Sequence, residues 1–166
     1  VCNSLDTVVV HQAIAQQFLK LLAPALAEYR VKIFADELAF GHLQSVSYPS
    51  LAHAVEADFG REFLDFACSV KVVQDLAEAL NHIDTYSSRH SEAIVSSDPE
   101  EAELYLQSVD AAAVYWNAST RFTDGGVFDL GPEIGISTQK LHARGPFALE
   151  KLVTEKWVLK GTGQIR

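Results

Sequence analysis

Short apolar runs and longer amphipathic segments alternate along this chain, and that alternation limits the folds it can adopt. The β-branched run Thr7–His11 predicts a buried strand, and Gln12–Arg30 has the spacing of an amphipathic helix. Further strands are predicted over the apolar runs Val31–Phe34, Ala67–Val73, Ala93–Val95 and Ala111–Trp116. Strands separated by helices at this spacing predict an α/β domain with a mostly parallel sheet.

The helical segments carry their own boundary signals. The residues of the first helix expected to face the core are Ile14, Phe18, Leu21, Leu22, Ala25 and Leu26. Pro24 should kink or interrupt this helix, because proline lacks the backbone donor that the helix needs. Asp36, Asp75 and Asp98 precede the next helical segments, and we expect each of them to cap a helix N-terminus.

The composition narrows the classes of function. The chain has 166 residues, 48% hydrophobic and 21% charged, which suits one globular domain with a core. Its net charge of −9 argues against binding to nucleic acid or an anionic membrane surface. No apolar run is long enough to span a bilayer, and no signal peptide is visible. The first residue is Val, which suggests a mature product or a fragment, and two cysteines suggest a reducing compartment.

The polar stretch after the last predicted central strand is the strongest functional signal. A loop of roughly thirty residues follows Trp116, much longer than the usual connection. Beyond the loop, Pro146–Thr154 resembles a short helix and Lys156–Leu159 an edge strand. The loop carries the polar and cationic residues Asn117, Ser119, Thr120, Arg121, Lys140, His142 and Arg144. Such groups in a flexible loop indicate an anion site. The residues around Arg121 could equally form a capping network that holds the loop, and Lys140, His142 and Arg144 are by default a solvated cluster.

Cys2 is the candidate nucleophile. It precedes Asn3, Ser4 and Asp6, which are residue types that start helices. A thiol at a helix N-terminus can lose its proton near neutral pH, because the helix dipole favours the thiolate. The alternative is a terminal residue without a role. Cys68 lies inside a predicted strand and is expected to be a small core residue.

Other candidate groups are sparse. Glu62 stands before a predicted strand, where it could bond a sugar hydroxyl or serve only as a solvated turn residue. The six histidines show no ligand spacing, so no metal site is predicted. Neither a GxGxxG nor a GxxxxGK[ST] pattern is present, so the chain shows no phosphate cradle of its own.

Three blocks, VYWNASTRFTDGG (114–126), GPEIGIST (131–138) and KLHARGP (140–146), resemble in order and spacing the C-terminal motifs of the gamma-glutamyl phosphate reductase family. This family, also called glutamate-5-semialdehyde dehydrogenase, belongs to the aldehyde dehydrogenase superfamily. The blocks HSEAIV (90–95), SVKVV (69–73) and VCNSLDTVVVH (1–11) extend the resemblance over essentially the whole chain. Within the last block, Cys2 matches the position of the family's catalytic cysteine.

The resemblance implies an architecture. Residues 1–154 would be a three-layer α/β/α catalytic domain of aldehyde dehydrogenase type with a mostly parallel sheet. Residues 155–166 would be a C-terminal edge strand for oligomerisation and a tail. The N-terminal cofactor-binding domain of the family would be absent from this chain, so we expect the isolated chain to be inactive.

The resemblance also implies a reaction. The complete enzyme would reduce L-glutamyl 5-phosphate with NADPH to glutamate 5-semialdehyde and phosphate in proline biosynthesis, through a thioester on Cys2. Glu62 would bind the nicotinamide ribose, while the absent domain would hold most of NADP(H), and no metal would take part. The backbone N–H of Cys2 would be an oxyanion donor. The implied substrate-side residues are Asn117, Ser119, Arg121, His142 and Arg144, with Arg121 facing an anionic group of the substrate.

The implied protein is a cytoplasmic homo-oligomer, with glutamate 5-kinase as a further candidate partner. The sequence departs from the family pattern at residues 64–66 (LDF for a proline-containing turn), at residues 88–89 (Ser-Arg for glycine) and at Trp116 (for valine). Two alternatives stay open: another aldehyde dehydrogenase-type enzyme with a different acyl substrate, and a non-catalytic association module of the same fold.

Overall fold

A parallel four-stranded sheet forms the centre of the protein in the computed structural model, which describes residues 1–165. Its strands are β1 (Thr7–His11), β2 (Lys32–Ala35), β3 (Leu51–His53) and β4 (Ala67–Val73). Their spatial order is β1-β4-β2-β3, and every neighbouring pair is parallel. The predicted α/β class is therefore confirmed. β1 and β4 have the predicted bounds, whereas β3 was not predicted.

Helices flank this sheet. Helices α1 (Gln12–Glu28) and α2 (Glu37–Ser45) pack against each other and against the sheet. Helix α3 (Leu76–Tyr86) packs on β4 and on α4 (Pro99–Ser108). Side chains are buried at adjacent positions of β4, so both faces of this strand are covered. Within residues 1–165, no helix has the length and apolar character needed to cross a membrane.

Two smaller sheets lie beside the central one. Strands β5 (Ser91–Ile94) and β6 (Ala113–Trp116) pair in parallel, and α4 connects them. Strands β7 (Ile136–Ser137) and β8 (Gly145–Pro146) pair antiparallel within the long loop. The β5–β6 pair positions the NASTRF block, because the block begins where β6 ends.

The three predicted helix caps are confirmed. Asp36, Asp75 and Asp98 each accept hydrogen bonds from backbone N–H groups in the first turn of the helix that follows. The second carboxylate oxygen of Asp36 also accepts from the N–H of Val72, at 2.9 Å. This extra bond ties the start of α2 to the end of β4.

The predicted core face of α1 is wrong by about one residue. The buried residues of α1 are Ala15, Leu19 and Ala23. From the predicted face, Leu22 and Leu26 are only partly buried, while Ile14 is exposed and Leu21 is 70% exposed. The interruption expected at Pro24 is absent, because α1 continues past this residue to Glu28, while a kink at Pro24 stays a prediction.

The core lies between the α1–α2 pair and the central sheet. Cys68 belongs to this core, as predicted, and burial raises the pKa of its thiol to about 11. At neutral pH, Cys68 is therefore a small apolar residue and not a nucleophile.

The end of the chain has less regular structure than predicted. The helix expected over Pro146–Thr154 is reduced to a 3-10 turn at Leu149–Leu152. The edge strand expected over Lys156–Leu159 does not form among residues 1–165, where this segment has no pairing strand. An extended segment becomes a strand only when a neighbour accepts and donates its backbone hydrogen bonds. Pairing of residues 155–166 with a second chain stays a prediction.

Candidate functional site

The candidate site lies at the edge of the sheet where the parallel strands begin. Cys2 precedes β1, Glu62 precedes β4, and His90 directly precedes β5. The carbonyl of Asp6, just before β1, accepts from the N–H of Ser69 in β4 at 2.8 Å. Because the strands run in the same direction, the segments before them meet at one edge. Residues 60 positions apart in sequence are thus brought to one side of the molecule.

Cys2 is exposed and lies in a turn, not at a helix start. The N–H of Ser4 donates to the carbonyl of Val1 at 3.1 Å, and the first helix begins only at Gln12. The sequence prediction failed because the β-branched run after Asp6 favours a strand over a helix. Within residues 1–165 the backbone N–H of Cys2 donates to no acceptor, so it can still serve as an oxyanion donor.

Asn3 joins this turn to the NASTRF block. Asn3 is only 6% exposed, and its Nδ2 donates to the carbonyl of Thr123 at 2.7 Å and to that of Arg121 at 3.5 Å. Nη1 of Arg121 donates to Oδ1 of Asn3, and the hydroxyl of Thr120 donates to its carbonyl at 2.8 Å. We call these bonds the Asn3 clasp. Sequence reasoning missed it, because its partners are 117 or more residues apart.

A partly buried hydroxyl cluster supports the clasp. Thr123 is 1% exposed, and its hydroxyl lies 2.6 Å from that of Ser91 and 2.7 Å from that of Tyr115. The Ser91 hydroxyl lies 2.7 Å from Nδ1 of His90, a buried residue whose pKa is lowered by burial. Sequence reasoning did not single out these residues, because only the folded chain brings β5, β6 and the loop together.

Glu62 is exposed and lies near the same edge. Burial, chiefly, raises the pKa of Asp6, and the negative charge of Glu62 raises it further. The same charge opposes the lowering of the His90 pKa by burial. The charge of Glu62 therefore acts on Asp6, which follows Cys2 in the chain, and on His90, which contacts the hydroxyl cluster. An exposed carboxylate here can accept hydrogen bonds from the hydroxyls of a sugar.

Asn117 and Ser119 hold the start of the loop. Asn117 adopts a positive φ of 52°, and its side-chain amide pairs with both backbone polar groups of Ser96, at 3.0 and 3.1 Å. The hydroxyl of Ser119 accepts from the N–H of Arg121 at 3.2 Å and caps the turn Thr120–Phe122. The capping network that the sequence left open is thus present at these positions, and their contact with substrate stays a prediction.

Arg144 belongs to a second charged group, centred on Asp110. Nη1 of Arg144 lies 2.8 Å from the Asp110 carboxylate, Nζ of Lys140 lies at 2.7 Å, and Nη1 of Arg89 at 3.4 Å. Hydrogen bonds from Lys140 and Arg144 lower the pKa of Asp110 to about 2. His142 is exposed nearby in sequence but takes no part in these ion pairs within residues 1–165. Arg144 and Arg121 therefore hold different partners.

A cavity lies away from these residues. It measures about 310 Å³ and opens where the central strands end, lined by Gln12, Asp36, Glu37, Leu38, Lys71, Val72, Val73, Gln74 and Glu78. It contains none of the predicted site residues. Within residues 1–165, no three His, Cys, Asp or Glu side chains are grouped so that they could hold a metal ion.

Known proteins resemble the chain over its full length. It is 57% identical, over 168 aligned residues, to the gamma-glutamyl phosphate reductase of Pelodictyon phaeoclathratiforme. It is 51% identical to the one of Legionella pneumophila. The chain belongs to the gamma-glutamyl phosphate reductase family. It spans 40% of the length of these two curated relatives, so it corresponds to part of a reductase of this family. No protein-family model matches the chain.

Solved structures of the family agree with this fold. The crystal structure of gamma-glutamyl phosphate reductase from Thermotoga maritima matches with a TM-score of 0.88 at 42% identity, covering all of this chain and 39% of that one. The reductase of Saccharomyces cerevisiae matches with a TM-score of 0.55 at 29% identity, over 74% of this chain and 31% of that one. The resemblance based on the NASTRF and HARGP blocks is thus confirmed, and so is the fold class it implied.

Proposed function

We propose that this chain carries the nucleophile of an enzyme that reduces L-glutamyl 5-phosphate to glutamate 5-semialdehyde and phosphate in proline biosynthesis. The names of the reductase-family relatives support the reaction. The observation that supports the assignment to Cys2 is structural: its thiol is exposed, and the next residue, Asn3, is hydrogen-bonded to the NASTRF block. The other cysteine, Cys68, is sealed in the core.

The proposed acyl transfer follows from the chemistry of a thiolate. The sulfur of Cys2 attacks the carbonyl carbon of the acyl phosphate, and a C–S bond forms. The C–O bond to phosphate then breaks, phosphate leaves with the electron pair, and a thioester remains on Cys2. The free N–H of Cys2 is positioned on the same residue to donate to the oxyanion that develops on the attacked carbonyl.

Glu62 fits the role of a cofactor ligand. Its exposed carboxylate can accept hydrogen bonds from ribose hydroxyls, the contact proposed for the nicotinamide ribose of NADP(H). When bound, NADPH supplies the hydride that reduces the thioester to the aldehyde. We propose that regions of the reductase beyond this chain hold most of the cofactor, because the relatives are longer than the chain.

Arg121 is the proposed ligand for an anionic group of the substrate. One nitrogen of its guanidinium is engaged by Asn3, and the side chain is exposed, so other N–H groups can form paired bonds to a phosphate or carboxylate. The exposed imidazole of His142 and the side chains of Asn117, Ser119 and Arg144 are secondary candidates for substrate contact.

We further propose that the complete reductase is a cytoplasmic homo-oligomer paired through residues 155–166. Exposed apolar side chains in this tail, among them Trp157 at 85% exposure, support burial against a second copy. Glutamate 5-kinase remains a candidate partner, because it would supply the acyl phosphate.

Protection of Cys2 from alkylation tests the proposed function. In the complete reductase, L-glutamyl 5-phosphate or a stable analogue should slow iodoacetamide labelling of Cys2, and Cys2→Ala should abolish reduction. Cys68→Ala is the matched control and should retain activity, because its thiol takes no part in the reaction. An active Cys2→Ala enzyme would show that the nucleophile lies elsewhere.

Substitution of Arg121 by Ala should raise KM for the acyl phosphate, and an unchanged KM and kcat would refute its role.

A further inference from the structure

We propose that Asn3 is a positioning residue that fixes the backbone of Cys2 for attack on the substrate. The inference rests on the proposed function, in which Cys2 is the nucleophile. Asn3 itself would touch neither substrate nor cofactor, because its side chain is buried and bonded within the chain.

The Asn3 clasp is what ties the Cys2 segment to the rest of the described structure. Between residues 1 and 5, the hydrogen bonds made by Ser4 stay inside the turn and end on Val1. All other hydrogen bonds from this segment to residues up to 165 are made by Asn3. The next connection comes at the carbonyl of Asp6, where β1 joins the sheet. Loss of the clasp would therefore free the backbone on both sides of Cys2.

The bonds of Asn3 leave its side chain little freedom. Nδ2 donates to two carbonyls, Oδ1 accepts from Arg121, and the backbone carbonyl accepts from Thr120. This arrangement needs both a donor and an acceptor on one short side chain, which an amide provides and a carboxylate does not. Aspartate at this position would turn a negative oxygen toward two carbonyl oxygens, and neither contact could form.

The residue that anchors the clasp is itself held by hydrogen bonds. The carbonyl that receives the 2.7 Å bond belongs to Thr123, whose own hydroxyl is bracketed by Ser91 and Tyr115. Those two residues lie on the paired strands β5 and β6. Cys2 is therefore connected to the β5–β6 sheet through Asn3 and Thr123, and to the central sheet through β1. A nucleophile held from two sides keeps a reactive geometry, and misplacement by about 1 Å can cost on the order of 100-fold in rate.

The test uses the complete reductase that contains this chain, with steady-state kinetics and alkylation of Cys2 measured side by side. Asn3→Ala and Asn3→Asp should lower kcat about 10- to 100-fold with KM for the acyl phosphate changed less than about threefold. The rate of Cys2 labelling by iodoacetamide should change in both variants, because the thiol samples new positions. Thr123→Val should lower kcat, but by less than the Asn3 variants do. Thr123→Ser keeps the hydroxyl and should have the kcat of the unmodified enzyme. The control Thr85→Val, at an exposed helical hydroxyl, should leave all values unchanged.

Specific results would overturn the proposal. Unchanged kcat in Asn3→Ala shows that the clasp does not position Cys2, and a raised KM with normal kcat shows that Asn3 acts on substrate binding through Arg121 instead. If Asn3→Ala fails to fold, as judged by circular dichroism, the Thr123→Val and Thr123→Ser pair decides: equal kcat in both refutes the proposal. An active Cys2→Ala enzyme would refute the proposed function itself. An inactive Cys2→Ala with a fully active Asn3→Ala refutes this inference alone.

Discussion

At the scale of single residues, burial gives two thiols of one chain opposite chemistry. Cys2 is exposed in a surface turn, whereas Cys68 is enclosed in the core. Burial raises the pKa of Cys68 to about 11, so it stays a thiol well above neutral pH. Reactivity toward small reagents should therefore separate the two residues.

Thiol counting tests this separation. At pH 8 the native chain should react with a chromogenic disulfide reagent at one thiol per chain, and at two after unfolding in guanidinium chloride. Cys2→Ala should remove the fast reaction and leave the one exposed by unfolding. Two fast thiols in the native protein would contradict the burial of Cys68.

Asp110 shows how a loop can be held by charge. Its carboxylate forms ion pairs with Lys140, Arg144 and Arg89, and hydrogen bonds from the first two lower its pKa to about 2. A carboxyl whose pKa is lower in the folded state than in the unfolded state stabilises the fold above the unfolded pKa. That contribution disappears as the pH falls from about 4, the value for the unfolded chain, through about 2.

Asp110→Asn should therefore lower the urea midpoint of the chain at pH 7. The difference from the unmodified chain should shrink as the pH falls below about 4 and should be smaller in 1 M salt. Glu103→Gln, on the exposed face of α4, is a charge-matched control that should lower the urea midpoint by less than Asp110→Asn does. A midpoint difference that is independent of pH would show that the ion pairs of Asp110 do not stabilise the loop.

At the scale of elements, α1 has apolar residues on two neighbouring stripes. One stripe, with Ala15, Leu19 and Ala23, is buried, and the other, with Ile14 and Leu21, faces outward. Helical periodicity identifies apolar stripes, but it does not say which stripe meets the sheet. That choice is made by the register of β1 and by packing on α2, both of which are non-local.

Two leucine truncations distinguish the stripes. Leu19→Ala should lower the free energy of unfolding by about 2–5 kcal/mol, because it leaves a cavity in a fully buried site. Leu21→Ala removes the same atoms from an exposed site. It should change the free energy of unfolding by about 0.5 kcal/mol or less in the isolated chain. Chemical denaturation of both variants supplies the measurement. Equal losses would mean that the orientation of α1 is wrong.

Local signals in the sequence predicted the elements better than the site. The strands β1 and β4 and the caps Asp36, Asp75 and Asp98 depend on residues next to each other in the chain, and these predictions were confirmed. The helix expected at Cys2 was wrong, because the adjacent strand decided the backbone of that segment. The Asn3 clasp and the ion pairs of Asp110 join segments that only the tertiary fold brings together, so no pattern in the sequence could reveal them.

At the scale of the whole molecule, we propose that the chain supplies one wall of the active site. Cys2 precedes β1, Glu62 precedes β4, and Arg121 is bonded to Asn3, whereas the described cavity lies where the central strands end. The chain spans 40% of the length of its reductase-family relatives. The proposal that NADP(H) binds mainly outside this chain predicts that hydride transfer needs the longer protein.

The 166-residue chain alone should show no NADPH oxidation above buffer with the acyl phosphate. Rapid reaction of only one thiol per chain with the disulfide reagent, under the same conditions, would show that the chain is folded. The complete reductase is the positive control under the same conditions. Turnover by the chain alone would contradict the proposed division of labour.

The most direct test of the central claim is to look for the acyl group on Cys2. The complete reductase is mixed with L-glutamyl 5-phosphate generated in place from glutamate and ATP by glutamate 5-kinase, with no nicotinamide cofactor present, then quenched in acid and digested. Mass spectrometry should find a hydroxylamine-sensitive glutamyl adduct on the peptide with Cys2, and none in the Cys2→Ala variant. An adduct on another residue, or an unmodified Cys2 in enzyme that turns over normally once NADPH is added, would contradict the account.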